Sequence, residues 1–220
     1  VQGPDFLSFL AQKGKAWSSV LILQLLSDLD KLHQRGWVFG DLKPENLIVT
    51  GPPSRIRCID VGGTTIQGRA IKEFTEFYDR GYWGLGTRKA DPQYDLFAVG
   101  MVMINTVYPS RFQKTSGGIT QLTEAIKQKK ELQPSEEVIL RALKGKYLNA
   151  SEMRNDLLAV TSPTRTQYTN GQQNRTQRFS PTQAPKSNQT RQAVIHKKKK
   201  SGWVETFLII AIITLFYVFY

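Results

Sequence analysis

The sequence predicts a mainly α domain with small β-hairpins beside one polar loop, then a disordered tether and a short C-terminal hydrophobic helix. Three observations carry this. Apolar residues recur at helical spacing in five stretches before residue 161. Two short β-branched runs flank a Thr-Gly-Pro-Pro-Ser cluster, and composition breaks abruptly at residue 161.

The first helix is predicted over Trp17–Gln34, where Ile22, Leu25, Leu26, Leu29 and Leu32 form one apolar stripe and Gly36 is the stop signal. A strand follows at Leu47–Val49 and a second at Ile56–Ile59. The turn residues Thr50–Ser54 between them make the pair a hairpin. Residues 60–94 lack sustained periodicity, and a connection that long in a packed domain is usually functional. Helical patterns resume near 95–107, 120–130, 135–143 and 150–160. Of residues 161–190, twenty-two are Ser, Thr, Asn, Gln or Pro, too polar to offset the entropy of ordering, which predicts a disordered tether.

The net charge of +12 is unevenly placed. Residues 1–160 carry 21 Lys/Arg against 17 Asp/Glu, whereas residues 161–202 carry nine Lys/Arg and no acid. A basic tail beside an apolar segment suits a polyanion, either lipid headgroups or nucleic acid. The one cysteine, Cys58, excludes an intrachain disulfide and reads as a small buried hydrophobe. The opening Val1–Asp5 has no initiator Met and no signal-peptide pattern, so it is expected to be the middle of a protein.

The densest chemical signal is Phe39-Gly40-Asp41-Leu42-Lys43-Pro44-Glu45-Asn46, with Asp60-Val61-Gly62 beginning fourteen residues after Asn46. Phosphoryl transfer from ATP needs positioning and charge neutralisation more than covalent help. Asp41 is suited to orient an attacking hydroxyl, and Lys43 to reach the transferring phosphoryl. Asn46 and Asp60 are suited to hold Mg²⁺ against the nucleotide. A hairpin between them returns both residues to one end.

These residues resemble the catalytic loop and metal-binding motif of Hanks-type protein kinases, with Lys43 giving the serine/threonine rather than the tyrosine pattern. The resemblance implies ATP and Mg²⁺ as cofactors and a kinase C-lobe over 1–160. It also makes Thr75 the Thr of the substrate-positioning loop, and Asp95 the residue that steadies the catalytic-loop backbone from a central helix. Thr64 and Thr65 fall in its activation segment as candidate phosphosites. Glu45 either meets a basic residue of a substrate or is a solvated loop acid. His33 reads as structural or solvated, and Trp37, Tyr82 and Trp83 as packing aromatics.

Departures from the pattern matter as much. Phe39-Gly40 stands where His-Arg is usual, so the cation that pairs with a phosphorylated activation loop is lost. Activity should then depend less on loop phosphorylation. Val61 replaces a Phe, as a smaller plug. Arg80-Gly81-Tyr82 stands where Ala-Pro-Glu is usual, with Lys146 expected in place of that motif's Arg partner. No glycine-rich loop or strand Lys precedes Asp41, and Gln2–Asp5 looks like the end of an interlobe hinge. The N-lobe is therefore expected in cis outside this sequence, and the chain by itself to be inactive.

Beyond the lobe, 161–196 is expected to be a basic linker, 197–202 a juxtamembrane cluster and 203–220 a transmembrane helix. The last would be about 27 Å long at roughly 1.5 Å per residue. Lys197, Lys198, Lys199 and Lys200 place the lobe in the cytoplasm by the positive-inside tendency, as a single-pass protein of the cell membrane. They also suit anionic lipids. This arrangement resembles the DNA-stimulated sporulation kinases of bacilli, which implies DNA as a partner of Arg165, Arg175, Arg178, Lys186, Arg191 and the four lysines. Protein substrates follow from the same resemblance. Two alternatives stand beside it: a small-molecule kinase of the aminoglycoside type, and a pseudokinase acting as a membrane or DNA scaffold.

Overall fold

The computed structural model describes residues 2–115 and 117–162, and within them the chain is mainly helical with four short strands. The expected tether, basic cluster and transmembrane helix lie outside the described residues. Among those described, no helix is long and apolar enough to cross a membrane.

The first helix, α1 (Phe6–Lys13), was not anticipated from the sequence, although its signals were present. Asp5 is an N-cap whose carboxylate accepts the Ser8 amide, and Phe6, Phe9 and Leu10 form one buried face. Residues Gln2–Asp5 run beside the hairpin: the Val49 amide donates to the Pro4 carbonyl at 2.9 Å.

Helix α2 (Trp17–Gln34) has the predicted bounds and buries Leu21, Ile22, Leu25, Leu26 and Leu29. Each such leucine contributes roughly 1.5–3 kcal/mol on leaving water. Gly36, at φ 80°, turns the chain out of α2, a conformation that costs a side-chain-bearing residue most. The chain then enters β1 (Trp37–Val38). The predicted hairpin is β2 (Leu47–Thr50) against β3 (Arg55–Cys58), antiparallel, with Leu47 opposite Cys58 and Thr50 opposite Arg55. A second antiparallel pair joins β1 to β4 (Thr65–Ile66).

The aperiodic stretch 60–94 packs through its own aromatics. Trp83, 1% exposed, meets Phe77 and Phe112 edge-to-face, and its indole N–H donates to the Phe77 carbonyl. Helix α3 (Pro92–Asn105) follows, begun three residues before the predicted start because Asp91 caps it and Pro92 occupies its first turn. It is buried without a break from Tyr94 to Asn105, so it forms the centre of the lobe. Helices α4 (Ile119–Lys127), α5 (Glu136–Leu143) and α6 (Ala150–Thr161) complete it, with α3 packed on α5 and α2 on α6.

Candidate active site

The loop after β1 is held from below by the central helix. The buried Asp95 carboxylate accepts the Phe39 amide at 2.8 Å and the Gly40 amide at 2.9 Å. Its third partner is Nε2 of the buried His33 at 2.8 Å. His33 is thus structural rather than solvated. One carboxylate fixes both amides that precede Asp41, which sets where that side chain emerges.

Above this support, four of the singled-out residues meet. The Thr75 hydroxyl donates to Asp41 Oδ1 at 3.1 Å, and Lys43 Nζ donates to Thr75 Oγ1 at 3.3 Å. Lys43 Nζ also pairs with Asp41 Oδ2. Asn46 Nδ2 donates to the Asp41 carbonyl at 2.9 Å. Donating through Nδ2 leaves the Asn46 amide oxygen without a hydrogen-bond partner among the described residues.

Asp60 reaches the same end of the hairpin through the strand register. The Ile59 amide donates to the Asn46 carbonyl at 2.9 Å, one step beyond the Leu47–Cys58 pair. Asp60 itself is exposed, in a left-handed conformation at φ 54°, and its carboxylate makes no hydrogen bond among the described residues. A non-glycine residue held at positive φ is uncommon and marks a constrained position. Among the described residues there is no cluster of three His, Cys, Asp or Glu side chains. The amide oxygen of Asn46 and the carboxylate of Asp60 are nonetheless hard oxygen donors of the kind Mg²⁺ takes with waters and phosphates.

The loss of the usual Arg at position 40 has a steric counterpart. Gly40 sits at φ 86°, and a Cβ there would lie 2.6 Å from the Gly63 carbonyl oxygen. The backbone of the following segment thus crosses where a side chain would begin. In that segment the Thr64 hydroxyl is buried without a partner, and the Thr65 hydroxyl donates to the Gly63 carbonyl.

Two apolar side chains at this end are open among the described residues. Val61 is 69% exposed and plugs nothing among the described residues, because the turn at Val61–Gly63 carries it outward. Trp37 is 40% exposed rather than packed. Both border an apolar cleft of about 610 Å³ with Leu29, Leu32, Phe39 and Cys58. Burial pushes the Cys58 thiol up to about 12, with the Asp95 and Asp28 charges adding to it, so the group is a protonated apolar filler.

The expected Lys146 partner for residues 80–82 also fails: Lys146 is exposed and forms no ion pair among the described residues. Its place is taken locally. Asp79, fully buried, accepts from Arg88, from the Gly81 and Tyr82 amides and from the Tyr94 hydroxyl. Arg80 donates to Asp91 and to the Thr87 and Lys89 carbonyls. Burial pushes the Tyr94 phenol up, and the Asp79 charge adds to that. Asp79, Arg88 and Asp91 were missed because charges in an aperiodic loop carry no spacing signal. Glu45 pairs with Arg111, which also lies over the Tyr78 ring. Its partner is therefore within the lobe. Tyr82 and Trp83 are packing aromatics, as expected.

No protein-family model matches the chain. Over 158 residues it is 59% identical to the serine/threonine-protein kinase YabT of Bacillus subtilis, a match covering 72% of this chain and 47% of that protein. A probable cyclin-dependent serine/threonine-protein kinase of Dictyostelium discoideum is 30% identical over 107 residues, 46% of this chain and 8% of that protein. The chain thus spans about half the length of the Bacillus relative and a small part of the other.

Proposed function

We propose, from a chain that belongs to the YabT-type branch of the Hanks serine/threonine protein kinases, that it supplies the catalytic lobe for transfer of the ATP γ-phosphoryl to Ser or Thr of proteins. The observation that carries this is the Thr75–Asp41–Lys43 cluster, held on a loop whose amides end on Asp95.

In this reading the Asp41 carboxylate accepts a hydrogen bond from the incoming hydroxyl and takes its proton. The new bond forms from that oxygen to the γ-phosphorus as the bond from phosphorus to the ADP oxygen breaks. Lys43 offsets charge on the phosphoryl oxygens. Thr75 aims Asp41 through its hydroxyl, and Asn46 ties its amide to the loop. Asn46 and Asp60 would hold Mg²⁺, which when bound neutralises charge on the nucleotide phosphates. A small-molecule kinase is disfavoured by Thr75, which lies on the segment suited to a peptide. A pseudokinase is disfavoured because Asp41, Asn46 and Asp60 are all present.

The test is Asp41→Asn in the full-length kinase that contains this lobe. Phosphorylation of a protein substrate from labelled ATP should fall about a hundredfold or more. Near-normal activity would exclude the assignment. Residues 1–202 alone should give no transfer above background, since no described residue is suited to enclose the adenine.

The segment 203–220 anchors the protein in the cell membrane with the lobe cytoplasmic, supported by its apolar run and the adjoining lysines. Deleting it should shift a fluorescent fusion from membrane to cytosol; unchanged membrane attachment would refute the anchor. The basic tract 161–202 binds DNA and anionic lipid through phosphates, supported by nine positive charges without an acid. Its affinity should fall steeply with salt and weaken when Lys197–Lys200 become Ala.

A further inference from the structure

Away from Asp41, a groove of about 500 Å³ lies between α2, the hairpin turn with β3, and α6. Its walls are cross-linked: Gln24 of α2 donates to the Ser54 carbonyl at 3.3 Å and accepts the Ile56 amide at 3.1 Å. Helix and hairpin therefore hold the groove open as one preformed unit. Leu23, Pro53 and the exposed Val20 give it apolar lining.

Three arginines border the same space. Arg55 and Arg57 are exposed on β3, and Arg154 of α6 donates only to the Leu23 carbonyl, at 3.3 Å. None of the three forms an ion pair among the described residues. The one acid on the lining, Asp28, is already paired with Lys31 at 3.0 Å. The groove thus carries three uncompensated positive charges around walls of mixed polar and apolar character.

We propose that this groove docks an extended acidic segment of a partner protein, with apolar side chains seated between the arginines. The charge calls for carboxylates, and residues 163–220 of this chain hold a single acid, Glu205, so the tail is no match. The apolar part of the lining, at Val20, Leu23 and Pro53, favours a peptide over a nucleic-acid backbone, which offers phosphates but no aliphatic side chains to bury. Docking there is independent of phosphoryl transfer, since none of Asp41, Lys43, Asn46 and Asp60 borders the groove.

The probe is a dye-labelled peptide of about twelve residues alternating Glu and Leu, titrated by anisotropy against the full chain in detergent micelles. Arg55→Ser with Arg57→Ser should weaken binding roughly tenfold, the scale of two lost ion pairs. Ser in place of Leu in the peptide should weaken it further. Lys197–Lys200→Ala should leave the groove's share of binding intact. A photo-cross-linker on the peptide should label residues 20–24 or 53–57 of the unaltered chain. Labelling confined to the tail, affinity indifferent to the two arginines, or an equally arginine-dependent preference for duplex DNA would each overturn the proposal.

Discussion

His33 and Asp95, sixty-two residues apart in sequence, meet at 2.8 Å in the interior. A carboxylate only accepts, so Nε2 of His33 carries the hydrogen, and its Nδ1 is left buried without a partner. Asp95→Ala should therefore orphan three buried donors at once, at a cost of about 3–5 kcal/mol. Urea unfolding followed by circular dichroism should show a large drop in midpoint. His33→Ala should cost clearly less, because the two loop amides keep their acceptor. Equal losses from both variants would mean the amides contribute little.

Thr75 links Asp41 and Lys43 through one hydroxyl, donating to the first and accepting from the second. In the full-length kinase, Thr75→Val should lower kcat about tenfold or more while leaving KM for ATP nearly unchanged. Thr75→Ser should recover most of it. A Ser variant as poor as Val would assign the residue a packing role.

The Asp5 cap gives α1 a pH-dependent anchor. Burial alone would raise its carboxyl, but the Ser8 hydroxyl and the Ser8, Leu7 and Asp5 amides hold it below the ordinary value. A depressed carboxyl stabilises the fold above the ordinary carboxylate range, and that stability disappears as pH falls through its folded value. Asp5→Ala should cost about 1 kcal/mol at neutral pH and much less in acid. A deficit independent of pH would exclude the charged cap as its cause.

Cys58 should react slowly with iodoacetamide at neutral pH. With the thiol pushed up to about 12, the rate should keep climbing well past the range where an ordinary cysteine saturates. Saturation near pH 9 would show that the site is more open than the packing implies.

The two longest helical stripes and the hairpin were legible because burial imposes a period on them: Leu25, Leu26 and Leu29 face inward in α2, and Val49 and Ile56 in the hairpin. The site was legible at Asp41, Asn46 and Asp60 because two short motifs bracket that hairpin. Two kinds of information were not. The counter-charges of the 79–91 segment come from a loop, where no period ties partner to partner. Positions such as Val61 depend on a backbone turn that three residues of sequence do not specify.

The two ion pairs of that segment close over short spans of chain. Arg88 and Asp79 are nine residues apart, and Arg80 and Asp91 eleven. By contrast, Asp95 reaches Phe39 across fifty-six. Closing a short loop forfeits little chain entropy, so the clasp around Arg80 is able to form while the chain is still largely open. The grip of Asp95 on the loop before Asp41 must wait for distant parts of the lobe to collapse together. Defects in the clasp should then slow folding itself, whereas defects at Asp95 should chiefly hasten unfolding. The surface around Tyr82 would be in place before the residues beside Asp41 acquire their final geometry.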